Sequence, residues 1–122
     1  MTFGHGVFGM LRENVLRRKE DFNLIYKKGK STGEKYVVVF VLKNSLGFNR
    51  IAYLASKKVG NSVRRNRARR LMRESVRQID GIKEGYDIII IARNTINDRK
   101  CADVKKSIEA AMRRLKLISQ EK

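Results

Sequence analysis

SKKVGNSVRRNRARRLMRES, residues Ser56–Ser75, decides the fold, because it combines dense positive charge with the apolar periodicity of a helix. The pattern predicts a helix over about Asn61–Ile79, which follows Gly60 and has Asn61 or Ser62 as its N-cap. At about 100° per residue, one side of this helix is apolar and consists of Ala68, Leu71, Met72, Val76 and Ile79. The other side spans roughly 160° and carries Asn66, Arg67, Arg69, Arg70, Arg73 and Arg77. The helix therefore has one face for a core and another for an anionic partner.

The segments around this basic helix alternate between strand and helix patterns. Glu20–Lys28 predicts a short helix, because Phe22, Ile25 and Tyr26 follow helical spacing. Strands are predicted at Lys30–Thr32, Tyr36–Leu42, Arg50–Ser56 and Asp87–Ala92, and a last helix at Asp103–Ile118. The inward stripe of that last helix is Val104, Ile108, Ala111, Met112 and Leu115. Four consecutive isoleucines in the last strand indicate burial on both of its faces. The order predicts one α+β domain with a partly covered sheet.

The net charge of the chain limits the classes of partner that it could bind. Its 122 residues include 29 Lys plus Arg and 12 Asp plus Glu, a formal net charge of +17 that attracts polyanions. Charge alone leaves both nucleic acids and anionic membrane surfaces open. A solvated helix face normally alternates charges of both signs, but Glu74 is the only acid between Ser56 and Ile79, which favours nucleic acid.

The longest apolar run, Tyr36–Leu42, is far shorter than the roughly 20 residues of a membrane span. With no signal-peptide pattern at the start, we expect a cytoplasmic protein.

Few side chains in the sequence suit catalysis or metal binding. Cys101 and His5 are the single cysteine and histidine, so neither an internal disulfide nor a Cys/His zinc cluster can form within one chain. We expect Cys101 to be a small structural residue at a helix start. The closest groupings of acids are Glu20 with Asp21, and Asp80, Glu84 and Asp87 around a loop. A protein nuclease would use a tuned general base or paired carboxylates that hold metal. We therefore expect no catalytic residue and no metal site in this chain.

Ordered blocks before, within and after the basic helix carry a family resemblance. The blocks are Asp21-Phe22 with Tyr26 and Gly29-Lys30, Arg50, Ser56 to Val63, Arg65-Asn66-Arg67, Arg70 to Glu74, and Ile91-Ala92-Arg93. Over about Leu16 to Leu117 the chain resembles the protein subunit of bacterial ribonuclease P, whose hallmark is an Arg-Asn-Arg helix. The glycine-rich residues 1–9 are expected to be a flexible tail, and residues 10–122 the ribonuclease P protein domain.

The resemblance implies a fold and a division of labour. The fold would be a two-layer α+β sandwich of order α-β-β-β-α-β-α, similar to domain 2 of ribosomal protein S5. Its strand-helix-strand crossover would be left-handed, against the usual rule. The enzyme would remove the 5′ leader of precursor tRNA, with the RNA component as catalyst and as the main holder of magnesium. The protein alone would be inactive, with the catalytic RNA and precursor tRNA as partners and with no membrane and no obligate protein partner.

The resemblance also assigns two sets of binding residues. Residues implied to face the catalytic RNA are Lys58, Asn61, Arg64, Arg65, Asn66, Arg67, Arg69, Arg70 and Arg73. Residues implied to line the 5′-leader cleft are Phe22, Tyr26 and Phe40, with Lys57 and Arg93 as cationic neighbours. Aromatic faces beside a positive groove bind single-stranded nucleic acid, at about 1–3 kcal/mol per stacked base. Aromatics spaced i, i+4 also serve ordinary cores, so we expect Phe22 and Tyr26 to do both.

Two other functions fit parts of the pattern. A ribosomal or ribosome-assembly protein that only binds structured RNA would need the same charge and core. A membrane-surface or DNA-compacting protein fits the charge, but the strand patterns and the spacing of Phe22 and Tyr26 disfavour it.

Overall fold

The structure, a computed structural model, describes residues 15–119. The predicted tail, residues 1–9, lies outside the described residues, as does the predicted domain start at residue 10. The helices are α1 (Lys19–Lys28), α2 (Ser62–Arg77) and α3 (Cys101–Arg114), and a short 3₁₀ turn covers Asn94–Ile96. The strands are β1 (Lys30–Gly33), β2 (Val37–Lys43), β3 (Arg50–Leu54) and β4 (Tyr86–Ala92). The predicted order of elements, and with it the single α+β domain, is confirmed.

The four strands form one sheet in the order β1-β2-β4-β3. β2 pairs with β1 and β4 in antiparallel fashion, whereas β3 and β4 are parallel neighbours. Parallel neighbours need a crossover connection, and here α2 provides it. The basic helix is thus tied to the sheet at both of its ends. The left-handed sense of this crossover stays a prediction.

The larger core lies between one sheet face and the two long helices. Alternate residues of β2 and β4 face α2 and α3, because successive side chains of a strand point to opposite faces. The fully or nearly fully buried residues of this core include Val37, Val39, Val41, Ile88 and Ile90 from the sheet, and Ala68, Met72, Val104, Ile108 and Met112 from the helices. Burial of these side chains fixes α2 with its opposite side turned to solvent.

A smaller core lies on the other sheet face beneath α1. Ile25 of α1 is fully buried there with Ile89 and Ala52 of the sheet, and with Leu16 from the chain before α1. Ile88, Ile89 and Ile90 are all fully buried, so the predicted two-sided burial of this strand is confirmed. α1 covers only part of its face, and the rest of the sheet beside it stays accessible.

An arginine anchors α1 to the sheet. Arg50, the first residue of β3, donates through Nη2 and Nε to the Asp87 carboxylate at 2.7 and 2.9 Å, and through Nη1 to Asp21 of α1 at 3.4 Å. Asn44 donates a further hydrogen bond to Asp87 at 2.8 Å. The bond to Asp87 is the main reason that the pKa of Arg50 is raised. Asp87, predicted to begin the strand after the loop, is therefore a buried structural residue near the start of β4.

Two helix ends differ from the sequence-based prediction. α2 stops at Arg77 because Gln78 and Ile79 donate to the carbonyls three residues back, Ser75 and Val76, which tightens the last turn. α3 stops at Arg114, four residues before the predicted end. There the Leu117 N–H donates to the Met112 carbonyl at 2.8 Å and the Lys116 N–H donates to the Arg113 carbonyl at 3.0 Å, a Schellman motif.

Candidate nucleic-acid interface

The basic helix α2 presents the two faces that its sequence predicts. Ala68 and Met72 are fully buried, and Val76 and Ile79 are nearly so. The side chains of Asn66, Arg67, Arg70, Arg73 and Arg77 are exposed on the opposite side. Since the buried side holds the helix against the sheet and α3, the exposed arginines form a fixed cationic surface. We call it the arginine face.

Three of the residues implied to face the catalytic RNA are either only partly accessible or already have a structural role. Arg65 and Arg69 are half-buried, so only part of each side chain is accessible. Asn61 is exposed but serves as the N-cap of α2, since its Oδ1 accepts from the Arg64 N–H at 3.0 Å. The structural role of Asn61 explains its presence without any RNA contact. Lys58 and Arg64 are exposed, as predicted for residues that meet a large partner.

Local contacts orient the Arg-Asn-Arg segment. Arg67 donates through Nη2 to the Arg99 carbonyl, before α3, at 3.0 Å. Arg69 donates through Nη1 to the Asn66 Oδ1 at 2.6 Å. These bonds use one donor or acceptor of each group and leave further guanidinium donors for phosphate. The segment is partly ordered before any partner binds, which lowers the entropy cost of binding.

Sequence reasoning missed the contact that supports Arg73. The guanidinium carbon of Arg73 lies 5.4 Å from the ring centroid of Tyr53 in β3, a cation–π geometry. Burial raises the pKa of Tyr53 to about 12, although Arg73 and Arg77 act to lower it. Tyr53 therefore stays neutral at physiological pH and keeps its aromatic face for Arg73. The sequence carried no signal for this pair, because the two residues meet only when α2 packs beside β3.

The aromatic residues predicted for the second site form one cluster between α1 and β2. The Tyr26 ring meets Phe40 edge-on at 5.0 Å between centroids, and Phe22 lies 6.5 Å from Tyr26. Phe22 and Phe40 are half-buried, whereas Tyr26 is 43% exposed. The rings therefore help to close the smaller core and still offer aromatic surface to solvent. The predicted double role is consistent with this geometry.

Beside this aromatic cluster a row of sheet residues is only half-buried, and we call the cluster and this row together the aromatic cleft. The strand register aligns Val38, Ile91 and Leu54 in a row next to the row of Phe40, Ile89 and Ala52. Val38, Ile91 and Leu54 are all half-buried, although they lie mid-sheet. Their period-two spacing from Phe40 and Ile89 was the signal that could have identified this cleft floor.

The two predicted cationic neighbours lie at one end of the cleft floor. Because β3 and β4 are parallel, Lys57 and Arg93 follow their strands at the same end of the sheet, and both are exposed. Arg93 Nη1 donates to the Glu34 carbonyl at 3.3 Å, which draws this side chain toward the β1–β2 turn. α2 begins at the same end of the sheet. The first turn of α2 and the cationic end of the cleft therefore lie at the same end of the sheet.

The thiol of Cys101 lies among residues that hold α2 and α3 together. Cys101 begins α3, is half-buried, and lies 3.5 Å from the Ser75 hydroxyl and 3.6 Å from Gln78 Nε2. Within residues 15–119, no group of three or more His, Cys, Asp or Glu side chains is placed to hold a metal ion. No helix in this part of the chain is long and apolar enough to cross a membrane.

The arginine face and the aromatic cleft on this α+β domain define a small RNA-binding protein. The family model for ribonuclease P matches residues 10–116, most of the chain. The chain therefore belongs to the ribonuclease P protein family.

Individual relatives agree with this assignment. The ribonuclease P protein component of Alkaliphilus oremlandii is 42% identical over 107 residues, which cover 87% of this chain and 94% of that protein. The corresponding protein of Clostridioides difficile is 44% identical over 105 residues, covering 84% and 92%. Among solved structures, an RNase P protein mutant from Staphylococcus aureus superposes with a TM-score of 0.83 at 29% identity and covers 96% of this chain and all of that one. The RNase P protein of Thermotoga maritima gives 0.72 at 33% identity, covering 86% and 97%.

These relatives decide between the two RNA-binding functions that the sequence left open. They carry the name of the ribonuclease P protein component, so they fit that interpretation and not the ribosome-assembly alternative. The chain is the protein component of ribonuclease P, a part of an endoribonuclease that processes tRNA. Its partner is the RNA subunit of that enzyme.

Proposed function

We propose that this protein docks on the catalytic RNA through the arginine face and holds the 5′ leader of precursor tRNA in the aromatic cleft. The RNA subunit supplies the active site and holds the magnesium ions, and the protein alone does not cleave RNA. The assembly acts in the cytoplasm. The observation that carries the proposal is the row of exposed arginines on α2, a helix whose opposite side is buried against the sheet and α3.

The docking role is supported by the chemistry of the arginine face. Guanidinium groups bind phosphate oxygens in a planar, two-pronged geometry and stack on bases, whereas ammonium groups act as point charges. Arg67, Arg70 and Arg73 project from a helix whose other side is buried, so their spacing is fixed before RNA arrives. Such a surface suits a large, folded polyanion.

The leader-binding role is supported by the exposure of Tyr26 and by the cleft floor. An unpaired base can stack on the accessible part of the Tyr26 ring, and Phe40 holds that ring edge-on. Val38, Ile91 and Leu54 offer apolar surface that has no hydrogen-bonding preference for one base over another. This combination predicts leader binding with weak sequence preference.

The division of labour is supported by the roles that the acids already have. Asp21 and Asp87 are engaged by Arg50, and Glu34 pairs with Arg114 at 3.0 Å. Asp103 accepts from the Lys100 N–H at the start of α3. A carboxylate in a structural ion pair is a poor general base, because its partner stabilises the ionised form.

Cleavage of precursor tRNA at low magnesium tests the proposed function. The RNA subunit is assayed with and without this protein, and the protein is assayed alone. We expect strong stimulation of cleavage, tighter binding of precursor than of mature tRNA in the assembled enzyme, and no cleavage by the protein. Absence of stimulation together with equal affinity for both tRNAs would remove the proposal.

Tyr26→Ala should reduce the preference for precursor over mature tRNA by roughly 5- to 150-fold, the equivalent of about 1–3 kcal/mol for one stacked base. Because Tyr26 is 43% exposed, the free energy of unfolding should fall less than for a fully buried aromatic residue. Binding of both tRNAs to the assembled enzyme gives the measurement. Tyr26→Phe keeps the ring and is the matched control, for which we expect nearly normal preference. If Tyr26→Ala retains the full preference, the leader lies elsewhere.

A further inference from the structure

A second concentration of positive charge lies away from α2. Five lysines surround a groove of about 460 Å³ where the start of β1 and the end of β2 approach the chain after α3. They come from four separate segments and are Lys28 with Lys30, Lys43, Lys83 and Lys116. We call this site the lysine groove. No pattern in the sequence brings these residues together, since they are spread over most of the chain.

The lysine groove is electrostatically uncompensated. Its lining contains no acidic residue. Within residues 15–119, none of its ammonium groups is within ion-pair distance, 4 Å, of a carboxylate. Glu84, the neighbour of Lys83, is instead directed to the Asn49 N–H, which donates to its Oε1 at 3.1 Å. Five unpaired like charges repel each other, and a bound anion would remove that repulsion.

The backbone at Gly29 holds two of these lysines close to β2. A Cβ at this position would lie 2.5 Å from the Ile25 carbonyl oxygen and 2.6 Å from that of Val41. Only glycine permits this contact, which sets Lys28 and Lys30 on either side of the tight approach. A close-packed corner of the backbone thus places Lys28 and Lys30 at the groove.

Lys116 provides an independent sign that charge matters here. It follows Leu115, the C-cap of α3, and has φ 64, the left-handed conformation that glycine adopts most easily. A side chain with a Cβ is disfavoured there by about 1–2 kcal/mol. The chain carries a lysine where glycine would be more stable, which indicates a use for the ammonium group.

The shape of the lysine groove indicates what it binds. The charges surround a concave surface rather than following a line, and its floor offers Leu42 and Tyr86, which are half-buried. A concave surface lined by lysines suits the convex phosphate ridge of an RNA helix, whereas a single strand would need exposed stacking faces. The groove lies at the opposite end of the sheet from Lys57 and Arg93, about 20 Å away by the length of β2.

We propose that the lysine groove binds the phosphate backbone of a helical segment of the RNA subunit, as a second contact separate from the arginine face. This inference rests on the proposed function. The RNA subunit is favoured over the tRNA body because mature tRNA must leave after each cleavage. A site that held the tRNA body would bind substrate and product equally and would slow product release.

The test replaces Lys30, Lys43 and Lys83 by glutamine in one variant. A matched control replaces the exposed Lys19, Lys27 and Lys106 by glutamine, so that both variants lose the same charge. Affinity for the RNA subunit is measured between 50 and 200 mM salt. Each lost phosphate contact lowers the log–log salt slope by about 0.9, so the groove variant should lose roughly 30- to 150-fold in affinity at 150 mM. We expect less than about a threefold loss for the control.

Each other outcome overturns the inference in a recognisable way. Equal losses for both variants, with normal wild-type binding, would show only a general charge effect. A loss confined to precursor tRNA in the assembled enzyme would assign the groove to the substrate. Failure of the wild-type protein to bind the RNA subunit would remove the proposed function itself.

Lys116→Gly is a second variant, and a loss of RNA affinity in it could not be attributed to misfolding. We expect its Tm to rise by about 2–5 °C, because glycine relieves the left-handed conformation. Its affinity for the RNA subunit should nevertheless fall roughly fivefold, as for one lost phosphate contact. Unchanged affinity at the higher Tm would show that Lys116 has no part in binding.

Discussion

Affinity for the RNA subunit should fall roughly 10³- to 10⁵-fold as the salt concentration rises from 50 to 200 mM, as for a protein that contacts 6–10 phosphates. The exposed cations from Lys58 to the end of α2 are Lys58, Arg64, Arg67, Arg70, Arg73 and Arg77. Each phosphate contact releases condensed counterions, and added salt opposes that release. The steep response follows from the number of these contacts.

Titration of the protein with the RNA subunit at several salt concentrations measures this slope. Thermal unfolding of the free protein at the same salt concentrations is the control. If the domain stays folded at each of them, the loss of affinity does not come from unfolding. Arg67→Ala should flatten the slope by about one unit. A salt response that is flat in the wild-type protein is incompatible with docking through the arginine face.

Arg50→Met should lower the free energy of unfolding by about 3–5 kcal/mol, the usual cost of leaving one member of a buried ion pair without its partner. The side chain of Asp87 is only 8% exposed and would keep its charge beneath α1 with Asn44 as its remaining donor. Urea-induced unfolding of the free protein measures the loss. Because Arg50 also bonds to Asp21 of α1, the preference for precursor tRNA should weaken at temperatures where the variant remains folded.

Adding Asp87→Asn to Arg50→Met provides the matched control. The amide removes the uncompensated charge, so a substantial part of the lost stability should return. If Arg50→Met alone loses less than about 1 kcal/mol, the pair behaves as an ordinary surface ion pair and does not anchor α1.

The periodicity of apolar residues was sufficient to predict the helices and strands and the two faces of α2. Ala68, Met72, Val76 and Ile79 recur at helical spacing, and all four are buried as that spacing predicts. The isoleucines of β4 lack alternation, and three of them are fully buried. Such patterns report on a structure because one face of each element must leave water. The end of α3 was missed because its stop is a left-handed lysine, where a sequence pattern looks for glycine.

Contacts between residues of different helices and strands could not be predicted from the sequence pattern. The support of Arg73 by Tyr53 joins a helix to an edge strand. The role of Asp87 became visible only with Arg50 and Asn44 around it. Arg69 was predicted on the exposed side, but packing of α2 leaves it half-buried. These features depend on the distance between elements, which no periodicity along one element contains.

The sequence by itself determined the class of fold, the amphipathic basic helix and, through its ordered blocks, the family resemblance. It could do so because hydrophobic spacing and motif order are local properties of the chain. Only the tertiary structure decided which sheet surface beside α1 stays open, and that Lys28, Lys30, Lys43, Lys83 and Lys116 converge on one groove. Convergence of residues from separate segments is set by strand order and by close contacts such as that of Gly29 with β2, and these arise when the core packs.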